Sequence, residues 1–461
     1  MSDQEKKPGC LRILVRWTLR FAVFVVVVGI ILFAFAFRNQ LYNRFYYFPK
    51  EAAAWEAIRA QYQPVKLDDG WTEFRGVCHS HSELSHDSQV TFPEIIEAAH
   101  AADISFICMS DHCVDGKADF SLGLKGMNDG VLFVRGFEMP HGFMPWGLPD
   151  DTVLECGADA EPLAKTIAER GGLLFIAHSE EDRQWELPQI AGMEIYNIHT
   201  NLKVNGDSIA DILPDVLFSL NKYPDHVMRT IFRRQTEILE HWDELNRDRK
   251  MVGICAGDAH GNNGIYVVYT KEGNLRLFEG SGEEKDTYNL NGATRGLLRL
   301  FCGPLEEGKE VFRLQLDPYE RSLRFSNNHV LATDLSEAGV LDALRKGRVF
   351  MAFDMIADAR GFTFYAQSGP QKAVMGEEVT MAEGITLKAE SPYPVRFTLV
   401  RDGETVETQE GRTFEFAVKE PGKYRIEAEL KIIDEWTPWV YTNPIEVKAA
   451  AIAVALNSQA Q

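Results

Sequence analysis

Five short apolar runs end on side chains that can hold metal ions or carry protons. GVCHSH contains His79 and His81, SFICMSDH ends in Asp111 and His112, VLFVRGFE in Glu138, GLLFIAH in His178, and MVGICAGDAH in Asp258 and His260. Asp87 follows closely in HSHSELSHDS. A lone polar residue at a strand end is usually exposed or caps the next helix, and H-x-H alone is a weak signal. Successive strand ends bearing only His, Asp or Glu are better explained by convergence on one site. On a regular strand the period of two points His79 and His81 to the same side. Several imidazoles with two or three carboxylates and no paired cysteine suit two to three divalent ions of the Zn, Mn or Fe type, whereas Mg or Ca would take mostly oxygen. Metal ions that activate a water require no nucleophilic side chain, which agrees with the absence of a G-x-S-x-G elbow or a phosphate-cradling G-x-x-x-x-G-K-[ST] loop.

The runs alternate with helix-like stretches such as FPEIIEAAHAA and PLAKTIAERGG. Buried strands separated by helices of this length predict a parallel α/β sheet or barrel, with the ligand site at the strand carboxyl ends. Residues 206–250 insert a largely helical segment ending FRRQTEILEHWDELNRDRK. Beyond about residue 360 alternating stretches such as ITLKAE, VRFTLV, TFEFAVK and KYRIEAEL, separated by RDGE and EPGK, predict a small antiparallel β-sandwich over 360–450. With 461 residues the chain has room for two or three compact units.

The ordered motifs HSHSELSHDS, SDH, GFE, AHS and GDAH resemble the polymerase and histidinol phosphatase (PHP) superfamily of metal-dependent hydrolases. The similarity covers roughly residues 71–355, including the late ALRKGRVF segment. It implies a distorted (β/α)7-like barrel around a trinuclear metal centre. Carried over residue by residue, His79 and His81 with Glu138 and Asp258 hold one ion. Glu138 bridges to a second ion held by His178 and His141, and Asp87, His112 and His260 hold the third. In PHGFMPWGL the loop bearing His141 is shorter than in the family, so a plain loop histidine is the competing reading. His199 in IYNIHT is a further ligand or a substrate contact, and His86 neighbours the site. Asp111, beside a ligand, is expected to orient it. His100, His226, His241 and His329 lie outside the motifs and read as structural.

The membrane enters through Phe21–Phe37, FAVFVVVVGIILFAFAF, an uncharged run bounded by Arg20 and Arg38. It predicts one N-terminal transmembrane helix over 21–37, after a cytoplasmic segment 1–20 and before a helical membrane-proximal connector 38–70. A cleaved signal peptide ending near Ala34 and Ala36 is the alternative. Lys6, Lys7, Arg12, Arg16 and Arg20 precede the run, and Arg38, Arg44 and Lys50 follow it. This bias puts the chain in the cytoplasmic membrane with its body facing the periplasm or exterior. Seven cysteines are too few and scattered for a disulfide scaffold, and Cys78, Cys108, Cys113 and Cys255 read as small buried thiols. A net charge of −20 argues against a nucleic-acid partner. The expected substrate is a small or envelope-associated ester.

The chemistry implied by the resemblance is phosphoester hydrolysis by a hydroxide shared between metal ions, with Arg183, Arg229, Arg233 or Arg234 as candidate anion contacts. A carboxylic ester or carbamate hydrolase is the second reading, for which Phe143 and Trp146 could line an apolar pocket. A decayed, non-catalytic metal-binding protein is the third.

Overall fold

The computed structural model describes residues 10–66, 70–198, 200–201, 209–382 and 384–450. Six strands run parallel. Thr72–Ser80 lies between Val252–Ala259 and Phe106–Cys108. Val131–Val134 extends the array beyond Phe106–Cys108, while Ile190–Asn197 and then Leu173–Ile176 extend it beyond Val252–Ala259. Phe143–Trp146 pairs antiparallel with Leu173–Ile176, and a single bridge from Trp146 to Gly136 joins the two ends of the array. The chain is thus a mixed α/β protein with one large sheet.

Local sequence explains the elements. Phe92–Ala101 starts on Thr91, whose N–H is taken by the Glu94 carboxylate at 2.8 Å, and it buries Ile95, Ala98 and Ala99. Ala160–Glu169 buries Ala160, Leu163, Ala164 and Ile167, a stripe with helical spacing. The strands are apolar on both faces: Leu173–Ile176 and Val252–Ala259 are buried at every position. A β-carbon at Gly76 would lie 2.2 Å from the Phe106 ring, so only glycine allows these two strands to approach.

Several features lie beyond the expected pattern. Between the motif strands and the C-terminal region stands a four-stranded antiparallel sheet spanning Gly264–Gln315, with the helix Gly292–Cys302 attached. The C-terminal strands pair antiparallel, apart from the parallel pair Glu378–Thr380 and Ile445–Lys448. They are continuous with the main sheet, because Val349–Ala352 pairs with Glu435–Thr442. The Asn443 side chain accepts from Gly253 N–H at 2.8 Å and donates to the carbonyls of Gly253 and Val349 at 3.0 and 2.9 Å. Gly253 lies on the strand that carries Asp258, so the C-terminal region braces a site-bearing strand.

At the N-terminus one helix, Cys10–Ala36, is long and apolar enough over Leu14–Ala36 to cross a membrane or to serve as a signal sequence. It begins well before the 21–37 run, because Leu14 and Val15 before Arg16, and Trp17 and Leu19 between Arg16 and Arg20, continue its apolar surface. Helical turns over Arg38–Tyr42, Asn43–Tyr47 and Phe48–Arg59 follow.

His329 is fully buried, with Nδ1 2.6 Å from Glu73 and Nε2 2.9 Å from Asp354, whose Oδ2 also meets Arg75 Nε at 2.7 Å. Burial opposes its charge, but Asp354 and Glu73 outweigh it and hold the imidazole up at about 9. A histidine raised above its unfolded value near 6.5 stabilises fully below that pH and loses its contribution as the pH climbs through 9. The stability difference between wild type and His329→Asn is therefore expected to shrink from pH 6.5 to 9 in urea titrations. A difference that stays constant over that range would show that His329 is neutral in the folded protein.

Candidate metal centre

The candidate ligands gather at the carboxyl ends of the parallel strands. His79 Nε2 lies 3.0 Å from His81 Nε2, 3.3 Å from Glu138 Oε2 and 3.2 Å from Asp258 Oδ1. His178 Nε2 is 3.2 Å from Glu138 Oε1 and 3.6 Å from Asp258 Oδ2. Asp87 Oδ2 sits between His112 Nε2 at 3.3 Å and His260 Nε2 at 3.1 Å, and His112 Nδ1 is 3.6 Å from Glu138 Oε2. Three overlapping groups have ligand atoms within 4.8 Å of one another: His81, Asp87, His112 and His260; His79, His81 and Glu138; His79, His178 and Asp258. Eight residues singled out by their sequence motifs thus converge. His79, His81 and Asp258 are deeply buried, whereas His112 and His178 face a cavity of about 480 Å³.

The backbone departs from ideal strand geometry where these residues project. His79, His178 and Asp258 have φ of 70°, 50° and 44°, in the left-handed region that non-glycine residues seldom enter. Such conformations cost on the order of 1–3 kcal/mol each and persist where surrounding structure over-determines them. The register between Thr72–Ser80 and Val252–Ala259 slips at His79 and Asp258, so regular alternation does not aim His79 and His81. A bulge brings both Nε2 atoms to one point instead.

The ring of charge has a clear sense. Burial works against charging His79, yet Asp258, Glu194 and Glu138 together hold it well above the ordinary histidine range. Burial and the neighbouring His260 push His81 down to about 3, so it is neutral, with a lone pair aimed at His79. His178 resists desolvation through Glu138 and Glu180 and rises to about 10, while Glu138, although buried, is held well below its usual value by His79 and His178. Protons on His79 and His178 thus occupy the place of cations among carboxylates. Asp87 Oδ1 is buried without a hydrogen-bond partner. Lone pairs of mixed N and O type with no lysine or arginine among them fit divalent transition ions.

The surrounding shell includes residues that the motif reading missed. Glu194 takes His79 Nδ1–H on Oε1 at 2.5 Å, and its Oε2 accepts from the His178 N–H at 2.9 Å and from Asn197 Nδ2 at 3.1 Å. Asn197 also donates to Asp258 at 3.2 Å. The available signal was one carboxylate inside the apolar strand GMEIYN. Asp111 accepts from Ser82 N–H at 2.6 Å and from the hydroxyls of Ser82 and Ser85, and Ser85 Oγ lies 3.0 Å from His81 Nδ1. Asp111 therefore touches no candidate ligand ring and acts on His81 through Ser85.

Other expected residues separate into near and far. His141 Nε2 lies 3.1 Å from the Ala158 carbonyl, so this nitrogen carries the proton and Nδ1 keeps the lone pair. His141 lines the cavity but joins none of the ligand groups. His86 also lines it, its ring 4.9 Å from that of His112. His199 lies outside the described residues. Arg183 lines the cavity with its side chain one-tenth exposed; its terminal nitrogen meets Glu181 at 2.9 Å and its Nε has no partner. Arg229, Arg233 and Arg234 are elsewhere: the first meets Thr437, the second local carbonyls, and the third Glu427. Phe143 and Trp146 do not line the cavity. Both are core residues, with the Trp146 indole donating to Met109 O at 2.8 Å.

Cys113 is not a thiol: it forms a disulfide with Cys156. Sequence separation of 43 hid the pair, which the antiparallel strands Lys117–Asp119 and Val153–Glu155 bring to a Cα distance of 6.6 Å. Cys78, Cys108 and Cys255 are buried free thiols. The bridge joins the residue after His112 to the segment whose Ala158 holds His141. Loop-closure entropy makes its contribution on the order of 4 kcal/mol. The expected result is that reduction raises the Ellman titre in denaturant by two thiols and shifts the urea midpoint down, as Cys113→Ala with Cys156→Ala does.

No family model and no curated protein matches the chain. Among solved structures, a two-domain protein from Bacteroides vulgatus containing a predicted PHP-like metal-dependent phosphoesterase is similar at a TM-score of 0.37 and 14% identity, over 83% of this chain and 98% of that one.

Proposed function

We propose that the chain is a metal-dependent phosphoesterase whose seven strands form a distorted PHP-type barrel. The observation that carries this reading is the overlap of the three ligand groups, which share His79 and His81, at the floor of an open cavity. In this reading His79, His81, Glu138 and Asp258 hold one ion, Glu138 and His178 a second with His141 Nδ1, and Asp87, His112 and His260 a third. Divalent ions held there lower the pKa of water and offset charge on phosphoryl oxygens.

The chain's own residues do the rest. Glu194 keeps the Nδ1 proton on His79 and fixes its ring, and Ser85 with Asp111 does the same for His81. Arg183 lines the cavity and brings a guanidinium charge to an anionic oxygen of the substrate, which supports phosphate over a neutral ester. In the overall reaction water forms the new O–P bond, the bond from phosphorus to the alcohol oxygen breaks, and the alcohol leaves with a proton. The body faces an oxidising compartment outside the cytoplasmic membrane, in keeping with the Cys113–Cys156 bridge and the distribution of basic residues about the apolar helix.

The test is the full chain in detergent, loaded with Zn or Mn, against p-nitrophenyl phosphate, bis-p-nitrophenyl phosphate and p-nitrophenyl acetate. Metal-dependent release from a phosphate substrate, with a KM raised about tenfold or more by Arg183→Ala, is expected. Turnover of the acetate alone would replace the proposal with a carboxylic ester hydrolase.

A further inference from the structure

A second cavity, of about 580 Å³, lies between the helix Ile209–Ser219 and the four-stranded sheet. Leu213, Val216, Ile265, Leu314 and Leu316 supply its apolar lining, and Leu213 and Ile265 remain 41% and 39% exposed. Leaving such surface open to water is unfavourable by about 25 cal/mol per Å², so an apolar occupant is favoured.

Two neighbours indicate what that occupant is. The helix that forms one wall is tied to the N-terminal apolar helix. Phe218 lies with its ring 5.9 Å from Phe33 and 5.2 Å from Phe37, Asp215 takes both its oxygens to Asn43 at 3.1 Å, and Asn221 meets Arg44 at 3.1 Å. Because Phe33 belongs to the Leu14–Ala36 segment, this wall stands at the level where that segment would leave the hydrocarbon. Leu217, 65% exposed on the same helix, continues the apolar surface. On the other side the cavity is lined by Asn262 and Asn263, in the loop directly after His260. The Asn262 amide donates to the Asp87 carbonyl at 3.0 Å, so the segment after His260 borders the apolar space and ties it to the segment that bears Asp87.

We propose that this cavity holds the aliphatic chain of a membrane lipid whose phosphoester head is the substrate. The proposal rests on the phosphoesterase reading and on retention of the N-terminal helix in the membrane. It assigns the cavity to chain recognition and the metal centre to the head. Apolar contact at a distance from the reacting phosphorus then lowers KM for amphiphiles over short-chain phosphates.

The experiment uses the full chain in nanodiscs containing phosphatidic acid with a diazirine on its acyl chain. Photolysis and peptide mapping are expected to label residues 213–216, 264–265 and 314–316, and Ile265→Asp, at a half-exposed strand position, is expected to reduce that labelling at least fivefold. The metal-loaded protein is expected to hydrolyse dodecyl phosphate with a KM at least tenfold below that of ethyl phosphate. Ile265→Asp is expected to raise the first KM and leave the second unchanged. Labelling confined to residues 14–47 overturns the proposal whatever the enzyme hydrolyses, as does an equal KM for the two phosphates. Labelling of the cavity without hydrolysis of any phosphate keeps the chain site and overturns the phosphoesterase reading instead.

Discussion

Glu138→Gln is expected to lower turnover on the order of a thousandfold and to reduce the bound metal measured after gel filtration. Glu138 stands between His79 and His178 at 3.3 and 3.2 Å, one carboxylate oxygen toward each, and Oε2 also reaches His112 at 3.6 Å. Asp258 likewise lies within 3.6 Å of His79, His81, His178 and His260, but of these two carboxylates it is Glu138 that lines the cavity. Glutamine keeps the size but removes the charge, and the one oxygen replaced by an amide nitrogen becomes a donor facing a cation. A preorganised charge at the reacting centre is worth on the order of two to three powers of ten, and losing a bridging ligand also lowers occupancy. His86→Ala is expected to change the rate little, because His86 touches His112 only by ring contact. His141→Ala is expected to fall between them. Metal content and turnover near wild type in Glu138→Gln would remove its bridging role.

Glu194→Ala is expected to weaken metal affinity 10- to 100-fold although Glu194 coordinates nothing in the proposed centre. Its carboxylate fixes His79 through Nδ1, the His178 backbone through its N–H, and Asn197, which in turn meets Asp258. Removing such an orienting partner typically costs affinity on that scale. Glu194 is 1% exposed, so Glu194→Ala also leaves buried donors unpaired and lowers the unfolding midpoint. Glu194→Gln separates the two effects: it fills the space and can accept from one donor, so stability recovers more than affinity. The readouts are competition with a chromogenic chelator and urea unfolding of the same preparations. Equal metal affinity in all three proteins would reduce Glu194 to a packing residue.

What the sequence determined by itself is local and short in range. Alternating apolar runs and helix stripes specify the parallel strands and their helices, because burial on both faces leaves little choice of partner for segments such as LLFI and VGICAGDA. The same logic names His79, His81, Asp87, His112, Glu138, His178, Asp258 and His260, since each ends or follows a buried strand where side chains must emerge. The apolar N-terminal helix is legible for the same reason, although Arg16 and Arg20 hid its true length. What only the tertiary structure decided depends on distances the linear order conceals. Glu194 faces His79 because two strands on either side of Val252–Ala259 slip in register, and nothing in GMEIYN encodes that slip. Cys113 meets Cys156 because two three-residue strands pair across a long loop. His141 turns to Ala158 for the same reason. Trp146 proves to be core because it closes the strand array against Gly136, where a β-carbon would sit 2.3 Å from the indole. The C-terminal strands brace Gly253 through Asn443, a side chain with no periodic signature. In each case the deciding contact joins segments far apart in the chain, and periodicity reports only which face of an element is buried, not what it is buried against.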